Sequence, residues 1–312
     1  MKSTIKNILI SGASGLLGLN LAIEAAKQYS VFGVVNGHPL KTDVFKVLRA
    51  NLLAEGAIKD IFAQAKPDAV IHCAALADVD ACEANLSLAR RINSDLAGAL
   101  AIEAGRAGIP FMHISTDAVF DGQRGDYTEE DDPNPTNIYA RTKYLSELLV
   151  SNSNPGAIIA RVNMFGWSMS GKRSLAEFFY NNLQAGKSTP GFTDVFFCPM
   201  LENDLAQVLL EMLEKRLTGL YHVFSPQCIS KHEFGVLIAR RFGFDEKLVI
   251  PRSVEEGGLM ANRSPMLTMK TAKVTTTLGH PLPHTEQGIN GLYELAQQGY
   301  PLRLRQMSTP TQ

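Results

Sequence analysis

A glycine-rich turn near the start of the chain constrains the fold more than any other sequence feature. Residues 5–11 form an apolar run typical of a buried strand, and residues 15–29 carry apolar side chains at helical spacing. Gly12, Gly15 and Gly18 connect the two segments. Such a turn lets backbone approach a pyrophosphate at the N-terminus of a helix. The pattern therefore predicts a dinucleotide-binding α/β fold.

Short strand-like runs alternate with helical stretches through the first half of the chain. We predict strands at 31–35, 68–73, 110–115 and 157–161, and helices at 86–107 and 136–152. This alternation is typical of right-handed β–α–β units, so we expect a Rossmann-type, doubly wound parallel sheet.

The pattern loosens beyond about residue 165. Further helices are predicted at 172–185, 202–217, 231–242 and 285–298, and a strand at 220–224, while the polar tail from Leu302 is expected to fray. We assign residues 1–165 to an NAD(P)-binding domain, to which about 200–225 also contribute strand elements. Residues 166–312 form mainly an interleaved, smaller α/β substrate lobe.

Charge and cysteine content exclude several classes of protein. Lysine and arginine number 30 against 31 acidic residues, a net charge of -1, so we expect neither nucleic acid nor an anionic membrane as partner. No apolar run approaches the roughly 18 residues of a membrane span. No C-x-x-C pair occurs, so we expect free thiols in a reducing cytoplasm and no metal site. The cysteines are Cys73, Cys82, Cys198 and Cys228.

Three residues form a candidate catalytic set. Tyr139 and Lys143 are four apart on a predicted helix and therefore share one face. A nearby ammonium favours the phenolate, so Lys143 is expected to lower the pKa of Tyr139. Thr116 follows a predicted strand, where open α/β sheets bind ligands, and its hydroxyl can orient a substrate carbonyl.

Several motifs resemble the dTDP-4-dehydrorhamnose reductases, within the extended short-chain dehydrogenase/reductases. They are the G-x-x-G-x-x-G turn, His-Cys-Ala-Ala at 72–75, Ile-Ser-Thr-Asp-Ala-Val-Phe-Asp-Gly at 114–122, Tyr-Thr-Glu-Glu-Asp at 127–131, Pro-Thr-Asn-Ile-Tyr at 135–139 and Gly-Leu-Tyr-His-Val-Phe at 219–224. The resemblance implies NAD(P)H-dependent reduction of the 4-keto group of a nucleotide-linked 6-deoxysugar. It also implies Asn93 as a support for a water relay to Lys143, and a possible homodimer.

The same resemblance implies the cofactor-binding residues. Besides Asn93, Tyr139 and Lys143 they are Gly12, Ser14, Gly15, Leu16, Leu17, Gly18, Asn36, His38, Asn51, Leu52, Cys73, Ala74 and Ala75. An NAD-preferring site usually has an acid at the end of its second strand, whereas Asn36 stands there in this chain. His38 or Lys41 could meet a 2′-phosphate, so NADPH is favoured over NADH.

The candidate substrate residues are Asp117, Val119, Phe120, Arg161, Phe192 and Arg263. Phe192 could wall a nucleotide base or pack within the lobe. Arg161 and Arg263 could hold a diphosphate or take part in ion pairs. The chain has Ala118 and Ala140 where the family usually has tyrosine and glycine, and Pro199-Met200 where Pro-Thr is common.

Two other functions stay open. Related dehydratases carry Thr-Asp-Glu where this chain has Thr116-Asp117-Ala118, which disfavours dehydration, and a sugar-nucleotide epimerase is the other same-fold alternative. A second class is a non-catalytic subunit, because the regulatory subunit of methionine adenosyltransferase resembles these reductases.

Overall fold

The computed structural model describes residues 5–257 and 264–308. The strands are β1 (Asn7–Ser11), β2 (Ser30–Val35), β3 (Lys46–Arg49), β4 (Ala69–His72), β5 (Phe111–Thr116), β6 (Ile158–Val162), β7 (Met164–Phe165), β8 (Thr189–Phe192), β9 (Phe196–Phe197), β10 (Met200–Leu201), β11 (Gly219–Val223), β12 (Ile229–Ser230), β13 (Val249–Arg252) and β14 (Met266–Leu267).

The α-helices are α1 (Leu16–Ala25), α2 (Ala57–Ala65), α3 (Val79–Ala84), α4 (Leu86–Arg90), α5 (Leu96–Arg106), α6 (Ile138–Ser153), α7 (Leu175–Gln184), α8 (Glu202–Glu214), α9 (Lys231–Phe242), α10 (Ala272–Leu278), α11 (Thr285–Gln297) and α12 (Tyr300–Gln306). Short 3₁₀ turns span Asp117–Val119, Glu246–Leu248 and Val254–Gly257. None of the helices in the described part of the chain is long and apolar enough to cross a membrane.

A seven-stranded sheet in the order β11-β6-β5-β4-β1-β2-β3 forms the centre of the molecule. Every neighbouring pair in it is parallel. The predicted Rossmann-type α/β fold is thereby confirmed. The strand order reverses between β1 and β4, and such a switch point opens a crevice at the carboxyl ends of the strands.

Both faces of the sheet are covered, as a parallel sheet requires. All residues of β1 and β4 except Asn7 are buried, and Ile8–Ile10 and Ala69–Ile71 are continuous apolar runs. Helices α1 and α8 pack against each other on one face, and α5 and α6 pack against each other on the other. The division of the chain at residue 165 stays a prediction.

Two predicted segments differ from the structure. The helix expected over 86–107 consists of α4 and α5 joined by a π-helical turn at Arg91–Asp95. In the described part of the polar tail, residues 302–308, the chain is helical as far as Gln306, because Tyr300 and Leu304 lie one turn apart and bury the inner face of α12. The Tyr300 hydroxyl donates to Asn20 Oδ1 at 2.5 Å, which ties this helix to α1.

Candidate active site

The glycine turn is held by close backbone contacts. Gly12 has φ +75°, and a Cβ there would lie 2.6 Å from the Ala74 nitrogen. A Cβ on Gly18 would lie 2.2 Å from the Gly12 carbonyl oxygen. Gly12 and Gly18 therefore have no room for a side chain. The turn leads into α1, whose N-cap residue Gly15 makes no side-chain capping bond. An uncapped helix N-terminus favours an anion.

A cavity of about 300 Å³ opens beside this turn at the switch point. It brings together most of the predicted cofactor residues, namely Gly12, Ser14, Gly15, Asn36, His38, Asn51, Leu52, Cys73, Ala74 and Ala75. Its wall also includes Val34, Val35, Ala50, Leu53, Ile92, Leu96 and Arg173, which the sequence did not single out. The other predicted cofactor residues lie outside this wall, namely Leu16, Leu17, Gly18, Asn93, Tyr139 and Lys143.

Lys41 does not reach the cavity. It lines a separate groove with Tyr300 and Arg303, and its backbone nitrogen donates to Met307 O at 2.9 Å. The expectation that Lys41 meets a 2′-phosphate is therefore not supported by its position, whereas His38 does line the cavity.

The three candidate catalytic residues lie on neighbouring elements. Thr116 is the last residue of β5, and Tyr139 and Lys143 lie in the first two turns of α6. Asn137 caps that helix by accepting from the Ala140 nitrogen at 2.9 Å. Burial raises the pKa of Tyr139 to about 12, although a hydrogen bond from Thr116 acts to lower it. The predicted lowering of the Tyr139 pKa is thus not found, and its phenol holds its proton at neutral pH.

Lys143 is buried against β5. Its Nζ donates to the Ile114 carbonyl at 2.7 Å and lies 3.3 Å from His113 Nε2. Burial lowers the pKa of Lys143 to about 8, while the charge of Glu147 acts to raise it. Burial and the charge of Lys143 lower the pKa of His113, so its imidazole is neutral. The described residues contain no cluster of His, Cys, Asp and Glu that could hold a metal ion.

Asn93 occupies the π-helical turn and supports the wall of the site. Its Oδ1 accepts from the Leu76 nitrogen at 2.7 Å, and its Nδ2 donates to the Leu76 carbonyl and to Thr142 Oγ1. These bonds connect the loop after β4 to helix α6. Asn93 thus fixes the loop and helix in relation to each other, and the water relay remains a prediction.

The predicted substrate residues do not share one surface. Val119 and Phe120 are fully buried, and Phe120 stacks on Tyr127 at 4.2 Å between ring centroids. Asp117 is buried too, and Asn163 Nδ2 donates to its Oδ2 at 2.5 Å. Burial raises the pKa of Asp117. Arg263 lies outside the described residues.

Arg161 is committed to an internal ion pair. Its Nε and Nη2 donate to the two carboxylate oxygens of Glu147 at 2.9 and 2.7 Å, and both side chains are almost completely buried. Its guanidinium lies over the ring of Phe120, 4.9 Å from the centroid. This placement leaves no free face for a diphosphate. Phe192 lies in β8, which pairs with β13, and is half-buried.

A disulfide joins Cys198 to Cys228, which corrects the expectation of free thiols for these two residues. Strands β9 and β12 are antiparallel, with Phe197 opposite Ile229. Cys198, which follows Phe197, therefore faces Cys228, which precedes Ile229. Two-residue strands are too short to give a periodic signal, which is why the spacing of the cysteines did not reveal the pair. Cys73 and Cys82 are free.

Comparison with known proteins identifies the family. Residues 6–297 match the model of the RmlD substrate binding domain. The chain belongs to the dTDP-4-dehydrorhamnose reductase family. It is 30% identical to the probable low-salt glycan biosynthesis reductase Agl14 of Haloferax volcanii, over 91% of this chain and 96% of that relative. A dTDP-4-dehydrorhamnose reductase from Clostridium acetobutylicum superposes with a TM-score of 0.80 at 28% identity, covering 93% of this chain and 99% of that chain.

A second relative has a different name. Methionine adenosyltransferase 2 subunit beta of Danio rerio is 30% identical over 83% of this chain and 80% of that relative. The dTDP-4-dehydrorhamnose reductase family is thus shared by proteins named as reductases and by a protein named as a subunit of another enzyme.

Proposed function

We propose that the protein reduces the 4-keto group of a nucleotide-linked 6-deoxysugar, with a nicotinamide dinucleotide as reductant. The observation that carries the proposal is the set Thr116, Tyr139 and Lys143 at the end of β5 and the start of α6, on the sheet whose glycine turn opens the cavity. Catalytic residues at the carboxyl ends of parallel strands are typical of this architecture.

The cavity fits a dinucleotide. Gly12 and Gly15 contribute only backbone to the cavity wall, and the uncapped start of α1 points amides toward an anion. Ser14 and Asn51 would offer hydrogen bonds, and Cys73 and Ala74 would form an apolar wall. When bound, the nicotinamide supplies the hydride.

Each catalytic side chain has a distinct role in the proposed reaction. Tyr139 Oη holds a proton at neutral pH, because burial raises its pKa to about 12, and gives that proton to the oxygen that develops charge at the sugar C4. The Thr116 hydroxyl has a single proton to donate, and in the proposed reaction it turns from Tyr139 to the substrate carbonyl and orients it. Lys143, one turn further along α6, would hold the ribose of the nicotinamide.

The test is a pair of tyrosine variants in the same helix. We expect Tyr139→Phe to reduce turnover of a 4-keto-6-deoxy sugar nucleotide by about 10²–10⁴-fold, the usual contribution of a positioned acid. Tyr144→Phe is the control, because Tyr144 lines a groove with Leu148 and Pro155 away from the glycine turn. Oxidation of NADPH is followed by absorbance. Near-wild-type turnover by Tyr139→Phe would refute its role as proton donor.

A regulatory subunit is the second candidate, favoured by the 30% identity to methionine adenosyltransferase 2 subunit beta. Co-purification with a stoichiometric partner, together with no reductase activity on any 4-keto sugar nucleotide, would favour it. Protein that purifies with tightly retained NAD would instead favour an epimerase. A cytoplasmic location, a homodimer and a two-domain division stay predictions.

A further inference from the structure

The cavity beside the glycine turn has one permanently charged side chain among the described residues of its wall. That residue is Arg173, just before α7, and the polar residues around it are Ser14, Asn36, His38 and Asn51. The described wall contains no acidic residue. A dinucleotide is anionic, so the charge of Arg173 matches the ligand proposed for this cavity.

The backbone of Arg173 is held in place by contacts of the segment 167–177. Its backbone nitrogen donates to Glu177 Oε2 at 2.8 Å, and Ser174 forms a capping box with the same glutamate. The segment is also fixed to α1, because Asn20 Nδ2 donates to the Trp167 carbonyl at 3.2 Å. The backbone at Arg173 is therefore fixed beside the glycine turn, while its side chain is exposed and can reach a ligand.

The surroundings of this segment connect it to the end of β2. An added Cβ on Gly171 would lie 2.9 Å from Arg305 Nη2 in α12, so the segment contacts that helix. Just past α12, Ser308 pairs with Leu40, in the loop that follows β2. Residues after β2 are the ones that meet the adenine ribose in Rossmann folds. Arg173 thus comes from a distant part of the sequence to the ribose side of the cavity.

We propose that Arg173 binds the 2′-phosphate of the cofactor and thereby selects NADPH over NADH. This inference rests on the proposed function and assigns the phosphate subsite within it. An NAD-specific site would have an acid after the second strand, whereas Asn36 stands there, and an arginine nearby accommodates a 2′-phosphate. A guanidinium can give two parallel hydrogen bonds to a phosphate, and His38 lines the same wall.

The experiment compares 2′,5′-ADP with 5′-ADP, which lacks the 2′-phosphate, by titration calorimetry at fixed ionic strength. We expect wild type to bind 2′,5′-ADP more tightly. Arg173→Gln should weaken binding of 2′,5′-ADP by roughly 10- to 100-fold, the range for hydrogen bonds to a charged group. Its affinity for 5′-ADP should stay within about twofold. Lys172→Gln is the matched control, since this exposed neighbour lies outside the cavity wall.

Several results would overturn the assignment. Equal weakening for both probes would place Arg173 on the pyrophosphate, and an unchanged preference would remove it from the phosphate subsite. Binding of neither probe by wild type, or equal binding of both, would also refute the inference. Because the assay needs no sugar and no turnover, it is separable from the proposed function. Arg173-dependent binding in a protein that reduces no 4-keto sugar would refute only the proposed function.

Discussion

The buried ion pair between Arg161 and Glu147 gives a sharp test of how the site is built. Replacing Arg161 by leucine removes both guanidinium bonds and leaves a carboxylate that is almost completely buried, with the Ser115 hydroxyl donating to it at 2.5 Å. Removal of one partner of a buried pair typically costs about 3–5 kcal/mol. The burial and the bidentate geometry of this pair place it within that range. We therefore expect Arg161→Leu to lower the free energy of unfolding by about 3–5 kcal/mol at pH 7.

The assay is urea unfolding followed by tryptophan fluorescence and by circular dichroism, for Arg161→Leu, Glu147→Leu and the double variant. The single variants should each be destabilised, and the double variant should recover much of the loss, because no buried charge is left unpaired. Lowering the pH should narrow the gap between Arg161→Leu and wild type, since an unpaired buried carboxylate is relieved by taking up a proton.

Two results would refute this reasoning. A stable Arg161→Leu variant that loses only affinity for a sugar nucleotide would show that the guanidinium binds substrate rather than Glu147. Additive losses in the double variant would show that the two side chains do not depend on each other.

Three further predictions concern stability. Burial and the neighbouring carboxylate of Glu177 raise the pKa of Glu202 well above its ordinary 4.5. The stability contributed by the neutral form of Glu202 is therefore lost as the pH rises through the folded-state pKa. Glu202→Gln should flatten the pH dependence of the free energy of unfolding, measured by urea titration. Reducing the disulfide between Cys198 and Cys228, which are 30 residues apart, should lower stability by roughly 3–4 kcal/mol, and identical unfolding curves with and without reductant would contradict this. Gly12→Ala should lower the melting temperature and abolish dinucleotide binding, because Gly12 has φ +75° and an added Cβ would lie 2.6 Å from the Ala74 backbone nitrogen. Gly37→Ala is the control and should behave as wild type, because a Cβ on Gly37 would have no neighbouring atom within 4 Å.

The central sheet could be predicted from the sequence because its strands are buried on both faces. The runs at 31–35 and 110–115 are apolar apart from Gly33, His113 and Ser115, and the glycine turn fixes which strand leads into a helix. Edge strand β3 was missed, since Lys46 and Arg49 begin and end it and its interior is only half-buried. The helix α12 was missed because its few apolar residues are spread through a basic sequence.

The candidate-site residues that the sequence predicted also differ in position from those that it missed. Residues that follow a strand directly, such as Gly12, Asn36 and Cys73, meet at the switch point because parallel strands bring their carboxyl ends to one edge. Cys198 and Cys228 come together through two-residue strands, whose register no local pattern indicates. Sequence reasoning thus succeeds where a position is set by one strand and its turn. It fails where tertiary contacts between distant segments decide.

The two arginines show why residue type alone cannot assign an anion site. Arg161 lies in strand β6, so its side chain must take one face of a sheet that is covered on both, and a buried guanidinium requires a carboxylate such as Glu147. Arg173 precedes a helix whose capping box uses Ser174 and Glu177, which fixes the backbone and leaves the side chain free. A sequence could have distinguished them by asking which arginine lies inside a predicted central strand. That criterion favours the arginine at a helix start as the ligand for an anion.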